Sequence, residues 1–483
     1  MSAFFRPIVF VLGLLITAMG VAMLPPLAAN LAADSQNVRA FALSAAAALF
    51  IGLLLVSVTV GTRVRLEIRQ GFLLTSLSWF ILSAVGALPF AFSNLDMTLA
   101  DAFFESVSGL TTTGSTVIAG LDRMPPGILL WRAMLQWIGG VGIIVMAIAM
   151  LPYLRVGGMQ LFRTESSDRS EKVFPRAAQI ATATSTAYLL LSGLCALLYF
   201  FSGMNGFDAV THAMTTLATG GYSTSDASFG HFPNPVTHWI AIVFMTIGAL
   251  PFVCYIQMAY GRPLALWRDS QARRFLVALT LVVIAMSAWL WLTREISVAD
   301  ALRLSAFNVV SVVTTTGYAN ADYNQWGGFA TMVFLFLTFV GGCAGSTAGG
   351  IKMLRFELLF TFIWHQILRL CRPRAVFPLT YRGRPLELEA VRSAMTFFAL
   401  YIGTFLVLTL ALAATGLDSI TAISGAATAL GNVGPGLGDI IGPAGNFAPL
   451  SDPAKWVLSI GMLLGRLELL TLLVLLLPAF WRR

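Results

Sequence analysis

The chain has 483 residues, a length that would suggest two or three domains in a soluble protein. Hydrophobic residues make up 57% of it and charged residues only 11%, less than half the usual share of about 25%, which excludes a soluble globular fold. The net charge of +8 does not by itself indicate nucleic-acid binding, because basic cytoplasmic loops give a membrane protein the same total.

Long apolar runs recur along the whole chain and predict an all-α integral membrane protein. A run of about 18 apolar residues can cross the hydrocarbon, and a crossing segment has to satisfy its own backbone hydrogen bonds. The first run could be a signal peptide, but it is longer than the apolar stretch of such peptides, so a retained span is favoured. We predict ten spans, the eighth interrupted, at residues 4–29, 40–62, 72–93, 131–153, 178–202, 237–260, 275–293, 328–370, 393–416 and 455–480.

The Lys and Arg residues are distributed unevenly among the connections between these spans. Most of them lie in alternate connections, for example in the one between the fourth and fifth spans. Cytoplasmic loops of membrane proteins are enriched in Lys and Arg, so these connections are predicted to be cytoplasmic. Both termini would then lie in the cytoplasm, consistent with an even number of spans.

Four connections on the opposite side each contain a short helical stretch that ends in a Thr/Gly segment. Aligned on the last glycine, which we call the closing glycine, they recur roughly every 100 residues and indicate repeated structural units. Each unit is interpreted as a span, a short helix, a Thr/Gly segment and a second span. The aligned stretches are Phe104–Gly114, Thr211–Gly221, Phe307–Gly317 and Ser424–Gly434. The predicted units are an added helix pair at residues 1–68 and repeats at 69–154, 155–261, 262–374 and 375–483.

Such segments are suited to binding a potassium ion. Non-helical backbone at membrane depth is tolerated where it lines protein or water, and four segments around one axis would present rings of carbonyl oxygens. Carbonyl rings can replace the hydration shell of potassium, and each short helix would point its partly negative C-terminal end at the ion. An aspartate, a residue that favours helix starts, stands at or near the beginning of each short helix: Asp101, Asp208, Asp300 and Asp418.

Acidic residues follow three of the four segments. Asp226, Asp322 and Asp439 each stand five residues after a closing glycine, whereas the first repeat has Ala119 there and Asp122 slightly later. Acidic residues at the mouth of a pore concentrate cations, although ordinary solvated aspartates in a loop would give the same pattern. We predict an outer mouth lined by the three aspartates.

A glycine-rich stretch at residues 341–350 interrupts the eighth span. Small residues four apart can form a tight helix crossing. Five glycines, however, cost a helix about 4–5 kcal/mol relative to alanine, so an unwound segment that gates the pore is favoured. Only the second span of the third repeat is predicted to be interrupted in this way.

Arg466 lies deep in the last predicted span. A charge inside a membrane is expensive and indicates a functional site. The structural alternative is a local pair with Glu468, but residues two apart on a helix do not face each other.

These motifs resemble the Trk/Ktr/HKT superfamily of potassium transporters, and most of all the Trk-type subunit of bacterial inner membranes. The resemblance covers essentially the whole chain and rests on TTTGST at 111–116, TLATGGYS at 216–223, TTTGYA at 314–319 and ALGNVGPGLG at 429–438. It implies four pseudo-symmetric span–pore-helix–span repeats around a central pore. It further implies a selectivity filter formed by Thr111, Thr112, Thr113, Gly114, Thr219, Gly220, Gly221, Thr315, Thr316, Gly317, Asn432, Val433 and Gly434.

Potassium would be the transported ion, with no organic cofactor on this chain. Its ligands would be contributed by Thr112, Thr113, Gly220, Gly221, Thr315, Thr316, Val433 and Gly434. The fourth segment departs most from the pattern, because Asn-Val replaces Thr-Thr, and this makes the filter asymmetric. The gate implied below the filter comprises Gly341, Gly342, Gly345, Ser346, Thr347, Gly349, Gly350, Lys352 and Arg466.

The resemblance also implies a homodimer, a cytoplasmic nucleotide-binding regulatory subunit and a bacterial inner-membrane location, with no nucleic-acid partner. Other functions fit parts of the pattern. A rocking transporter coupled to protons or sodium would need an acidic residue on a broken helix, for which Glu468 is the candidate. The membrane subunit of an ATP-driven potassium pump would share the pore pattern. An enzyme would need clustered His, Asp or Glu at one interface, which the sequence lacks, and channel-like flow and cotransport stay open as alternatives.

Overall fold

The computed structural model describes residues 4–61, 66–150, 177–375, 377–381, 384–467 and 469–481, and these residues are mostly helical. Within them, seven helices are long and apolar enough to cross a membrane, and a bent helix pair gives up to one more crossing. The proposed boundary between the first two repeats, 154/155, lies outside the described residues, as does Glu468.

The N-terminal part is a packed helix pair. Helices α1 (Arg6–Ala22) and α2 (Leu24–Ala32) together form one crossing, and α3 (Val38–Val58) returns alongside α1. A Cβ built at Gly52 would lie 2.7 Å from the backbone nitrogen of Thr17, so a side chain at this position would separate the two helices. Glycine therefore permits the close contact of α1 and α3.

The remaining elements follow in chain order. The helices are α4 (Ile68–Ala91), α5 (Leu99–Leu110), α6 (Pro126–Met150), α7 (Ala177–Phe201), α8 (Gly206–Leu217), α9 (Pro235–Ala249), α10 (Phe252–Ala259), α11 (Ala265–Arg268), α12 (Ser270–Thr293), α13 (Val298–Val313), α14 (Gly328–Leu337), α15 (Met353–Cys371), α16 (Leu388–Ala414), α17 (Ser419–Gly431), α18 (Gly438–Ile441), α19 (Asp452–Arg466), α20 (Leu469–Leu473) and α21 (Pro478–Trp481). Strands β1 (Thr380–Tyr381) and β2 (Arg384–Pro385) form a small antiparallel hairpin.

The short helices α5, α8, α13 and α17 lie at the centre of the fold, and their C-terminal halves are buried almost completely. Each begins with a side-chain cap that accepts backbone N–H groups of the first turn, from Thr98, Asn205, Ser297 and Asp418. Of the four predicted aspartates, therefore, only Asp418 is itself the cap. Asp101, Asp208 and Asp300 lie three residues after the caps that their N–H groups bind.

Two predicted spans are broken where the sequence analysis expected continuous helices. The sixth span divides into α9 and α10, which meet at an angle of 95° at Leu250 and Pro251. Proline lacks an N–H group and clashes with the preceding turn, which accounts for the break. The last span ends its first helix at Arg466 and continues in short pieces. The prediction that only the third repeat carries an interrupted span is therefore wrong.

Candidate functional site

The chain leaves the four short helices through the same hydrogen bonds. In each repeat, the N–H one residue before the closing glycine donates to the carbonyl five residues earlier, at 2.8–3.1 Å. The preceding N–H donates to the carbonyl three residues earlier, at 3.0–3.3 Å. The four segments therefore share one backbone path, including the fourth, whose sequence differs most. The first donors of the four repeats are Thr113, Gly220, Thr316 and Val433.

Each segment also has two residues in the left-handed region. The closing glycines have φ between 79° and 114°, and the residues two positions earlier have φ between 51° and 57°. Non-glycine residues with positive φ are uncommon and occur mainly where the surroundings enforce them. Four such residues at corresponding positions indicate a constrained site: Thr112, Thr219, Thr315 and Asn432.

The closing glycines bring the four segments into a ring. A Cβ built at Gly114 would lie 2.1 Å from the Gly220 carbonyl oxygen, and one at Gly221 would lie 1.9 Å from that of Thr316. Two further contacts continue this order. A Cβ at the third closing glycine would lie 2.0 Å from a carbonyl of the fourth segment, and one at the fourth would lie 2.8 Å from a carbonyl of the first. The segments therefore surround one axis in chain order, and each contact has room only for glycine.

Some of the predicted ligand carbonyls already accept hydrogen bonds from side chains. The Gln136 amide donates to the Gly220 carbonyl at 2.6 Å, and the Ser115 hydroxyl donates to the Gly434 carbonyl at 2.7 Å. The hydroxyl of Thr111 lies 2.7 Å from that of Thr113 and donates to the end of α5. These bonds hold the backbone of the ring in place from its outer side. They involve only some of the predicted ligand residues, so the ligands differ in their hydrogen bonding.

The glycine-rich stretch, residues 341–350, is not helical and joins α14 to α15. Its ends are held together because the N–H of Gly341 donates to the Ile351 carbonyl at 3.0 Å. A Cβ built at Gly341 would lie 2.1 Å from the Gly349 carbonyl, and one at Gly342 would lie 2.8 Å from that of Ala249. Gly345 and Gly350 have φ of 76° and 64°. A side chain at any of these positions would strain or open the stretch.

Thr347 and Gly349 tie this stretch to the end of α8, to α9 and to the third Thr/Gly segment. The Thr347 hydroxyl donates to the carbonyls of Leu217, the last residue of α8, and Gly248, at 3.0 and 2.9 Å. The N–H of Gly349 donates to the Thr315 hydroxyl at 2.6 Å. Thr315 is the first left-handed residue of the third segment, close to the end of α13. The glycine-rich stretch therefore lies directly against the side of the ring where the short helices end. Ser346 instead bonds within the stretch, to the Cys343 carbonyl.

The break between α9 and α10 supplies partners for the same stretch. The carbonyls of Gly248 and Ala249 accept the N–H groups of Thr347 and Cys343, at 3.1 and 2.9 Å. A continuous helix would use these carbonyls internally. The two interruptions therefore satisfy each other's backbone groups at membrane depth.

Arg466 is 4% exposed and donates from Nη1 to the Thr347 carbonyl at 3.0 Å. Its Nε and Nη2 atoms have no hydrogen-bond partner among the described residues. The alternative pair with Glu468 lies outside the described residues. Lys352 directly precedes α15 and donates from Nζ to the Ala348 carbonyl. Both predicted basic residues of the gate therefore bind the backbone of the glycine-rich stretch.

The three predicted mouth aspartates lie in the loops that follow the ring. Asp226 accepts from the Leu121 N–H at 3.1 Å, Asp322 accepts from the Asn324 N–H at 3.1 Å, and Asp439 is exposed. The neighbouring Asp122 accepts a hydrogen bond from Ser225, which lowers the pKa of its carboxyl below the usual value. Asp322 therefore stabilises its own loop, whereas Asp226 joins the loop of the second repeat to that of the first.

One buried ion pair behind the ring was not predicted from the sequence. Arg132 lies on α6, is 1% exposed and contacts Glu105 at 2.7 Å. Glu105 lies on α5, nine residues before the first closing glycine. A glutamate among the apolar residues of a short buried helix was the signal that could have indicated a buried partner.

The family model described as "Cation transport protein", TrkH, matches residues 37–482 of this chain. A Trk system potassium uptake protein of Halomonas elongata, TrkI, is 47% identical over 99% of this chain and 97% of its own length. The Trk system potassium uptake protein TrkH of Escherichia coli is 42% identical over 99% of each chain. The crystal structure of the potassium transporter TrkH from Vibrio parahaemolyticus matches with a TM-score of 0.91, at 39% identity over 100% of both chains.

Proposed function

The chain belongs to the TrkH family of cation transport proteins, and from this premise we propose that it takes up potassium through the ring of Thr/Gly segments. Several relatives of similar length are named as potassium uptake proteins of Trk systems, which supports potassium as the cargo of this chain. The observation that carries the proposal is the ring itself, in which each closing glycine contacts the neighbouring segment's carbonyl.

In this proposal the ring is the selectivity filter. Rings of backbone carbonyls select potassium by replacing its hydration shell. The positive φ angles in each segment turn successive peptide groups in opposite directions, so carbonyls can face the axis without regular secondary structure. The C-terminal ends of four buried short helices add partial negative charge on the same axis.

The glycine-rich stretch is the proposed gate. It lies against the side of the filter where the short helices end. Thr347 binds Leu217 at the end of α8, and Gly349 binds Thr315 of the third segment. The stretch continues into α15, which carries Arg369 in its last turn and leads toward the connection predicted to be cytoplasmic. A regulatory subunit bound on that side could therefore pull the gate through α15. We propose that the chain works as a homodimer with such a subunit in the inner membrane, with both termini cytoplasmic.

The direct test is a flux assay with the purified full chain in liposomes. Potassium and rubidium should pass faster than sodium and lithium, and flux should follow the imposed voltage. A wild-type protein that transports sodium as fast as potassium would contradict the proposal. Repeating the assay at different proton gradients separates channel-like flow from proton-coupled transport.

Arg466→Ala is expected to raise potassium flux several-fold without changing ion selectivity. The substitution removes a buried positive charge, which repels a cation over several ångströms, and it removes the hydrogen bond to Thr347 that holds the gate. The filter itself is left intact. Liposome fluxes of potassium and sodium measure both effects, with Arg466→Lys as the control that keeps the charge. An unchanged potassium flux in folded Arg466→Ala protein would show that the arginine does not oppose ion passage.

Replacing Asp226, Asp322 and Asp439 together with asparagine is expected to reduce uptake about two- to fivefold at low potassium and low ionic strength. Asparagine removes the charge and keeps one side-chain oxygen at each position, which can still accept the backbone N–H of Leu121 or Asn324. Salt at 0.1 M screens charges over about 10 Å and should abolish the difference from wild type. An equal loss at high salt would contradict an action through the electric field.

A further inference from the structure

We propose that Glu105, Arg132 and Gln136 form a clamp behind the first two Thr/Gly segments, and that this clamp sets the ion selectivity of the pore. The three are positioning residues, since they act on the backbone that faces the ion. This inference rests on the proposed function, because it concerns the same filter. Nothing in the sequence pattern of the four repeats predicts it.

Two of the clamp residues come from one face of α6. Arg132 and Gln136 are four residues apart, which places them one above the other on a helix. Gln136 donates to the Gly220 carbonyl at 2.6 Å and accepts from the Tyr222 N–H at 3.0 Å. Arg132 donates to the Ser223 carbonyl at 2.8 Å, and its guanidinium lies 4.1 Å from the centre of the Tyr222 ring. The outer end of the second segment is therefore bound to α6 at several successive residues.

Glu105 extends the clamp to the first segment. Its carboxylate contacts Arg132 Nε at 2.7 Å and accepts from the Val117 N–H at 2.9 Å and the Thr116 hydroxyl at 3.0 Å. The Tyr222 hydroxyl donates a hydrogen bond to the Glu105 backbone carbonyl at 2.8 Å. Glu105 and Arg132 are 0% and 1% exposed, so the bonds of Glu105 to Arg132, Val117 and Tyr222 are shielded from water.

The clamp acts on the closest contact between the two segments. Gln136 binds the Gly220 carbonyl, and this is the oxygen that Gly114 of the first segment faces. The amide therefore fixes how far the second segment stands from the first. If it were released, the ring could contract around a smaller ion, because selectivity depends on the spacing and stiffness of the ligands.

The other repeats carry weaker versions of this arrangement. His212 and Asn308 occupy the position of Glu105, nine residues before their closing glycines, and each binds the chain that follows its own segment. His212 contacts the Ser223 hydroxyl at 3.0 Å, and Asn308 donates to Asn320 at 2.7 Å. The fourth repeat has Gly425, which has no side chain. The buried ion pair belongs to the first repeat, so the ring is held most firmly between its first and second segments.

The test measures the ratio of potassium to sodium flux in liposomes for Gln136→Met. Methionine has a similar size and removes both hydrogen bonds to the second segment. We expect the ratio to fall about tenfold, equivalent to about 1.4 kcal/mol of discrimination. Arg132→Lys keeps the charge opposite Glu105 but cannot bind both it and the Ser223 carbonyl in the same way, and should lower the ratio about threefold.

Lys455→Gln is the matched control. It breaks another ion pair on α5, between Lys455 and Asp101 at 2.6 Å, which is largely shielded from water and lies away from the Thr/Gly segments. It should lower the thermal stability and leave the flux ratio within about twofold of wild type. A wild-type ratio in folded Gln136→Met overturns the clamp, as does an equal fall in Lys455→Gln. If Gln136→Met does not fold, a wild-type ratio in Arg132→Lys overturns it. A wild type without potassium preference would instead overturn the proposed function.

Discussion

Replacing Gly114 with serine is expected to lower the ratio of potassium to sodium flux by about tenfold or more, equivalent to about 1.4 kcal/mol of discrimination. The closing glycine has φ of 88°, and a Cβ there would lie 2.1 Å from the Gly220 carbonyl oxygen. The neighbouring backbone has to move to relieve this overlap, because a carbonyl held by Gln136 cannot rotate freely. One oxygen would leave the ring, and the penalty against the smaller sodium ion would decrease.

The matched control is Gly120→Ser, six residues further along the same loop. Gly120 also has a positive φ, 75°, but a Cβ there would have no neighbour within 4 Å. It should therefore lose about 1 kcal/mol of stability from backbone strain and keep its selectivity. Fluxes of both ions, measured at equal amounts of folded protein in liposomes, separate the two effects. Wild-type selectivity in Gly114→Ser would show that this segment is not part of the filter.

The helical membrane fold and the family could be predicted from local patterns. Long apolar runs determine crossings through hydrogen-bond satisfaction alone, and the family match and the structural similarity confirm both predictions. The ring of glycine contacts has a simple origin as well. A residue in the left-handed region and a close backbone approach both favour glycine, so the recurring glycines were visible in the sequence. The assignment of these residues to an ion filter stays a prediction that the flux experiments test.

The features that the sequence did not predict depend on contacts between distant residues. The ion pair between Arg132 and Glu105 joins residues that are 27 positions apart on different helices, so no local pattern indicates it. Pro251 lies inside the sixth span, which was predicted to be one continuous helix. A proline in an apolar run is also compatible with a kinked helix, so it does not by itself indicate a break. The stabilisation of the break comes from the N–H groups of Cys343 and Thr347, nearly a hundred residues away, which no local pattern reveals.

Removing residues 344–348 from the glycine-rich stretch is expected to raise potassium flux about tenfold or more and to abolish its dependence on a regulatory subunit's nucleotide state. The deletion removes Thr347, which binds the Leu217 and Gly248 carbonyls and accepts from Arg466. The contact between Gly341 and Ile351 that closes the stretch remains, so the two flanking helices stay connected. The shortened connection could no longer reach across the inner side of the filter.

Two single substitutions in the same stretch are expected to change the potassium flux less than the deletion does. Thr347→Val removes the hydroxyl and its two bonds to the surrounding helices, and should raise flux by an intermediate amount. Ser346→Ala removes only a bond within the stretch, to Cys343, and should leave flux and regulation unchanged. Because the break between α9 and α10 binds the stretch through its own backbone, the deletion also frees the Gly248 carbonyl, which accepts the Thr347 N–H. Unpaired carbonyls at membrane depth are costly, so some loss of thermal stability should accompany the higher flux. A folded, inserted deletion variant with wild-type flux and intact regulation would show that the stretch only packs the two broken spans together and that the gate lies elsewhere.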